Sequence, residues 1–435
     1  MQSTRRETAG ALLLLFLALI PAWAPLTRPG LPAWRAGALP VLQLYAREQG
    51  AALDVGSIPD SDFAYAVARG FRVLGLDGVT ALKASLILGV ILTGLLLFGG
   101  LKGRWGNQGG LFAALLVLYS PLFLSALYIE GAIAGVWLAA GMAALLWYVE
   151  PMTWHRWLVA SLGVLASIFN VFSSAPHPPF AWHRVFESPW FWDASTIDLH
   201  APFAWTPGLI LLAFLFMALW RLARDPLPKT HPLWGALIGG VLLILVSWVA
   251  GERRMAFWLA AWLPLAVLAA WTLRQFPLLQ RLPLWAALLI LPLLAAGPAL
   301  SPDFQTYPIP QQPAGVFGPQ QILLIDAHLP SPPAPGQTLT LDAVWQATQP
   351  IDFDYNLFIH VTDDAGDLVA QWDGQPLPDR PMTTWQTGEV LSHRYEIPIP
   401  ADAPTSLHVR LGLYNWQTGE RLLLPDGSDA ITVPP

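Results

Sequence analysis

The stretch GVTALKASLILGVILTGLLLFGG, residues 78–100, contains one charged residue, Lys83. A bilayer core of about 30 Å is crossed by about 20 apolar residues of helix. By that measure the stretch reads as a membrane span, and similar runs recur up to residue 300. They lie at 9–26, 110–128, 131–149, 156–174, 207–224, 232–250, 255–273 and 282–300. The expectation is an α-helical polytopic membrane bundle of about nine spans, followed by an all-β domain. Composition points the same way. The chain of 435 residues is 54% hydrophobic and 12% charged, with 22 Trp. Soluble domains carry about 25% charged residues.

The net charge of −6 conceals a division. Residues 1–315 carry 19 Lys and Arg against 14 Asp and Glu, whereas residues 316–435 carry 4 Arg, no Lys and 15 Asp and Glu. Such asymmetry predicts two parts in different surroundings. The absence of cysteine excludes disulfides, thiolate catalysis and Cys-based metal sites. The first apolar run follows Arg5 and Arg6, and Ala22-Trp23-Ala24 imitates a signal-peptidase site. Pro25 immediately after it disfavours cleavage, so an uncleaved first helix is the preferred reading over a signal peptide. Lys and Arg crowd the loops that an inside N-terminus makes cytoplasmic, among them Lys102, Arg104, Arg221, Arg224, Arg274 and Arg281. This predicts an N-in/C-out chain in a bacterial cytoplasmic membrane, with outer loops at 27–77 and 173–207 and an extracytoplasmic C-terminal domain.

The period changes after the bundle. Residues 301–319, SPDFQTYPIPQQPAGVFGP, read as an extended Pro-rich linker. Within 320–435, QTLTLDAVWQA, YNLFIHVTD, DLVAQWDG, HRYEIPIP and SLHVRLGLYNW alternate apolar with polar residues between turn residues. Six to eight such strands (roughly, by turn spacing) predict an antiparallel β-sandwich. The string WQTGE occurs twice, at 385–389 and 416–420, and reads as a turn solution used twice. Trp385 and Trp416 are candidates for core packing or for stacking on a sugar. His360 reads as a packed strand residue. Asp363, Asp364 and Asp367 in TDDAGD form a hairpin turn; a calcium site is the lesser alternative, because EF-hand spacing is absent. No cofactor is fixed by any motif, and the identity of a divalent cation is left open.

The acidic residues of the first outer loop begin at Glu48 and continue with Asp54, Asp60 and Asp62. Ser57-Ile-Pro-Asp60 fits a capping box. Asp62 suits the positive end of the helix dipole, and Phe63, Val67, Phe71 and Leu74 share one side of the helix that follows. A catalytic or ligand role for one acid is compatible with capping. Arg253 and Arg254, beside an expected span, suit interfacial anchoring or phosphate binding. Glu130, His183 and Arg184 are further polar candidates facing the same compartment. Their neighbours match no metal motif such as H-E-x-x-H, and no basic tract indicates nucleic acid.

Two resemblances follow. YNLFIHVTDDAGDLVAQWDGQPLP, TTWQTGEVL and LHVRLGLYNWQTGERLLLPDG resemble a domain that follows multispanning glycosyltransferase-like proteins of filamentous bacteria such as the Chloroflexi. LFAALLVLYSPLFLSALYIEGAIAGVWLAAGMAALL, with Pro121, and GERRMAFWLAAWLPLAVLAA resemble the GT-C superfamily, in its dolichyl-phosphate-mannose protein mannosyltransferase-like group. There Arg254 matches the family's late Arg and Pro264 its Pro. The resemblance implies inverting transfer of a sugar from a polyprenyl-phosphate donor to an extracytoplasmic glycan or protein acceptor. A carboxylate of the first outer loop would be the general base, with Asp60 or Asp62 first and Asp54 next. Arg254 and Arg253 would hold the lipid phosphate. The chain departs from the family where an acid is usual shortly after the first span: APLTRPGLPAWRAGALPVL holds none. It also has fewer expected spans. The second reading is a non-catalytic membrane protein displaying a glycan- or partner-binding sandwich.

Overall fold

The computed structural model describes residues 25–32, 36–50, 62–128, 133–145, 206–226, 255–281, 304–319 and 321–434, with Leu13, Phe16, Leu17 and Ile20 singly. The chain divides into two compact units, residues 1–33 with 59–305 and residues 34–58 with 306–435. Seven α-helices are described: α1 (Leu39–Glu48), α2 (Asp62–Val73), α3 (Gly78–Leu118), α4 (Pro121–Tyr128), α5 (Ile133–Leu145), α6 (Thr206–Arg224) and α7 (Met255–Gln275).

Among the described residues one helix, α3, is long and apolar enough to cross a membrane. This corrects the expectation of a nine-span N-in/C-out bundle. The expected span at 110–128 is broken, because α3 stops at Leu118 and α4 has only 8 residues, about 12 Å of helix. The 13 residues of α5 reach about 20 Å, short of a bilayer core of about 30 Å. Hydropathy counts apolar residues without separating those that face lipid from those that face other helices. In α5, Val136, Ala139, Ala140 and Ala143 are buried inside the protein. The expected spans at 156–174, 232–250 and 282–300, and most of 9–26, lie outside the described residues.

Helix α3 is itself bent. Gly106 has φ 74° and ψ 171°, a non-helical pair inside the element. A Cβ on Gly110 would stand 3.0 Å from the carbonyl oxygen of Phe98, a residue that a straight helix would leave about 18 Å behind. The chain therefore doubles back at Gly106, inside the Gly-rich stretch 99–110 and between two helical arms. The first arm, 78–105, is about 42 Å long. Its start is capped by Asp77, which accepts from Thr80 N at 3.0 Å. Gly89 has no room for a side chain, since a Cβ would meet Val136 Cγ1 at 2.7 Å, and this lets α5 pack close. Lys83, the charge inside the apolar run, is buried and donates to the carbonyls of Arg28 and Gly30 at 2.7 and 3.0 Å. Next in sequence to these carbonyls is β1 (Leu31–Pro32), which pairs with β2 (Phe304–Gln305). The buried side of α2 is Ala64, Tyr65 and Ala68. Phe63, Val73 and Leu74 are exposed.

The second unit holds two four-stranded antiparallel sheets. Their strands are β3 (Gly315–Phe317), β4 (Ile322–His328), β5 (Thr338–Gln346), β6 (Asn356–Thr362), β7 (Leu368–Gly374), β8 (Val390–Pro398), β9 (His408–Tyr414) and β10 (Ile431–Val433). One sheet has the order β3-β4-β5-β8 and the other β10-β9-β6-β7. The content is that of a β-sandwich, and β3 lies within the stretch expected to be linker. Inward residues of both sheets, including Leu341, Trp345, Leu357, Ile359, Tyr395, Leu411 and Leu413, form one core. Trp345 donates its indole N–H to Tyr395 Oη at 3.3 Å, and that hydroxyl donates to Pro376 O at 2.7 Å. The polar atoms of these two core rings are thus paired, as burial requires.

The outer face of the β3-β4-β5-β8 sheet is covered by α1. Ala38, Leu39 and Leu42 pack on Leu323, Ile325 and Val344 to form a second core. Gln346 clamps the start of this segment from the end of β5: its Oε1 accepts from Ala38 N at 3.0 Å and its Nε2 donates to Ala36 O at 3.0 Å. Residues 36–48, from the expected first outer loop, are therefore part of the β unit.

Candidate functional site

The outer face of the opposite sheet carries half-buried and exposed side chains beside a buried centre, and the alternation of its strands decides what stands there. On β6, Leu357, Ile359 and Val361 point into the core, so Asn356, Phe358, His360 and Thr362 point out. On β9, His408, Arg410, Gly412 and Tyr414 are the outward set, and on β7 Gln371 and Asp373. The register places Asn356 opposite Tyr414, Phe358 between Gly412 and Asp373, and His360 between Arg410 and Gln371. A row of polar side chains results, with one aromatic ring at its centre.

Phe358 is 3% exposed although it points outward. The Arg421 guanidinium covers it at 4.5 Å from the ring centroid, and the His360 ring lies 4.7 Å away. Gly412 makes the space, because a Cβ there would meet Phe358 Cζ at 2.6 Å. Arg410 and Arg421 share the Asp429 carboxylate at 3.4 and 2.5 Å. The Arg421 hydrogen bond is the main cause holding the Asp429 carboxyl below its ordinary range. Burial, with Arg421 and Arg410 nearby, holds the His360 pKa below its ordinary value, so this ring is neutral at pH 7.

Toward one end of the row the chemistry changes. Tyr414 Oη donates to Asp373 Oδ1 at 2.6 Å and accepts from Asn356 Nδ2 at 3.4 Å. The bond to Asp373 pushes the phenol pKa up. Two residues on, Trp416 stands 53% exposed in the turn after β9. Its ring stacks on Phe353 with centroids 6.1 Å apart and planes at 29°, and Phe353 in turn meets Tyr355 edge-on at 5.1 Å. Stacking holds the indole in place while one face stays open. Asn415 fixes the turn by accepting from Gln417 N at 2.9 Å, and Gly419 supplies φ +76°.

The second copy of WQTGE does otherwise. Trp385 is 4% exposed, lies in the sandwich core and donates its indole N–H to Arg380 O at 3.2 Å. Both faces of that ring are inside the protein, which removes it as a platform for a sugar. Gly388 has φ +83°, so the two glycines share a conformation while the two tryptophans part. At the TDDAGD turn, Asp363 Oδ1 accepts from Ala365 N and Asp367 N, both at 2.9 Å. Asp364 Oδ1 instead receives Ser406 Oγ at 2.7 Å and lies 2.8 Å from His408 Nε2. These carboxylates do not converge, and among the described residues no group of three or more His, Asp or Glu is placed to hold a metal ion.

Of the other sequence candidates, Asp62 is the first residue of α2. Asp54, Asp60, Glu130, His183, Arg184, Arg253 and Arg254 lie outside the described residues. The residues that sequence reasoning missed are Tyr414, Asp373 and Asn356. Their alternation was visible, but nothing local tells which of two sheet faces α1 covers. No protein-family model matches this chain, and no curated protein matches it.

Proposed function

We propose that the chain is a membrane-anchored protein whose β unit binds carbohydrate on the outer face of the β10-β9-β6-β7 sheet, at the end marked by Trp416. The observation that carries this reading is the exposed, pre-stacked indole of Trp416, following Tyr414 with its Asp373 and Asn356 partners. A sugar ring offers an apolar C–H face and a rim of hydroxyls. An open indole face meets the first, and a carboxylate, an amide and a phenol supply the acceptors and donors that the second requires. A membrane location is supported by α3 and by the apolar composition of residues 1–300. An extracytoplasmic β unit suits a domain with 4 Arg, no Lys and 15 Asp and Glu, since cytoplasmic segments near a membrane are rich in Lys and Arg.

The test is a glycan array probed with the full chain in detergent. Selective binding that Trp416→Ala abolishes and Trp416→Phe keeps in part supports the reading; a blank array counts against it.

The reading as a polyprenyl-phosphate-dependent sugar transferase rests on the sequence resemblance. The structural observation in its favour is that Asp62 stands at the start of a helix. The same preparation tests it: turnover of a polyprenyl-phosphate sugar, lost in Asp62→Asn, would make the sandwich an accessory to chemistry.

A further inference from the structure

The helical unit holds a cavity of about 540 Å³ where the turn of α3 meets the end of α7, lined by Trp105, Gly106, Asn107, Gln108, Arg274 and Gln280 among others. Its size falls within the range of about 300–1,000 Å³ usual for small-molecule sites. Three features set its chemistry. Arg274 lines it, an exposed side chain whose guanidinium donates to Arg104 O. The second arm of α3 begins at Asn107, so backbone N–H groups with no partner inside the helix lie among the lining residues, beside the last carbonyls of the first arm and of α7. Gly106 has φ +74° and nothing within 4 Å of where a Cβ would stand, which leaves the backbone open to approach.

The decisive point is charge. Residues 78–118 and 255–281, which build the cavity, contain Lys83, Lys102, Arg104, Arg274 and Arg281 and not one Asp or Glu. Arg274 therefore has no carboxylate on either element. Gln280 spends its amide N–H groups on Leu273 O and Arg274 O at 3.0 and 3.3 Å, which fixes the wall beside the guanidinium. Asn107 and Gln108 add neutral amides able to donate or accept.

We propose that this cavity is a site for a phosphate-bearing ligand, with Arg274 as its charged contact and the helix start at Asn107 as its second. The volume exceeds that of phosphate alone, so the ligand carries a further polar group seated against the Asn107 and Gln108 amides. Such a ligand can come from a lipid headgroup or from a soluble phosphate ester. The site is independent of the carbohydrate reading.

The experiment uses the full chain. Glycerol 3-phosphate is titrated against it in detergent, and retention of phosphatidylglycerol over phosphatidylcholine is measured in lipid nanodiscs. Saturable binding in either arm, weakened about tenfold by Arg274→Gln and partly restored by Arg274→Lys, supports the site. The arm that responds identifies the source. Gln108→Glu, which keeps Arg274 and adds a negative charge to the wall, should weaken the same ligand. Arg281→Gln, outside the lining, should not. Binding in neither arm, an unchanged affinity in Arg274→Gln, or an equal loss in Arg281→Gln overturns the proposal. Matching helical circular dichroism shows that each variant is folded.

Discussion

Gly37 has φ +55°, and a Cβ on it would stand 2.6 Å from both Gln346 Oε1 and Gly388 O. Backbone of this hand costs an L-residue about 1–2 kcal/mol, and here the side chain would also collide with the amide that clamps the start of α1. Gly37→Ala should lower the stability of the β unit by about 2–3 kcal/mol, read as a lower midpoint in thermal unfolding. A midpoint equal to wild type would show that the clamp is not formed as described. His360 makes a prediction in pH. Its folded pKa is lowered, chiefly by burial, so below about 6.5 the unfolded state binds the proton more readily. Stability is then fully present above the unfolded value and is lost as pH falls through the folded one. The unfolding midpoint should drop between pH 7 and pH 5.5, less so in His360→Gln. Asp429 beside Arg421, and Asp342, which accepts from Arg394 Nε and Nη2 at 2.7 and 2.8 Å, also have lowered pKa values, but their contribution is lost in a more acidic window, below about 3.9. An identical pH response in His360→Gln would remove His360 from the account.

At the scale of elements, α1 makes the second unit discontinuous in sequence. Leu323 and Ile325 are outward residues of β4, yet each is 0% exposed because α1 lies over them. A fragment of residues 316–435 lacks that cover. It should expose an apolar patch, bind a hydrophobic dye and self-associate, whereas a chain that also carries residues 34–58 should not. A fragment of 316–435 that is monomeric and dye-silent would sink the prediction. The same element explains what could be read in the sequence. Strands β6 to β9 and the first half of β5 have one face in the core, so their alternation is plain in TLTLD and HVRLGLY, and it fails at Ala343-Val344-Trp345 where α1 covers the other face. The run ILLI in β4 is apolar without alternation because it is buried on both sides. Its cover comes from nearly 300 residues earlier, where no local pattern points to it.

For the whole molecule, legibility followed the solvent. A stretch of apolar residues says that a helix is buried but not in what. That is why nine apolar runs suggested nine spans, while among the described residues one helix is both long and apolar enough to cross a membrane. The candidate site was half legible for a similar reason. Trp385 and Trp416 open identical pentapeptides, and only the fold puts one in the core and the other on Phe353 in solvent. The polar residues Asn356, Asp373 and Tyr414 came from strands β6, β7 and β9, brought together by register. The proposed carbohydrate site of a membrane-anchored chain centres on Trp416. The direct measurement is a calorimetric titration of the strongest array-positive glycan into the full chain and into Trp416→Ala, with Tyr414→Phe alongside. Loss of about 2 kcal/mol, near thirtyfold in Kd, is expected for Trp416→Ala, with a smaller loss for Tyr414→Phe. Equal affinity in wild type and Trp416→Ala would contradict the account.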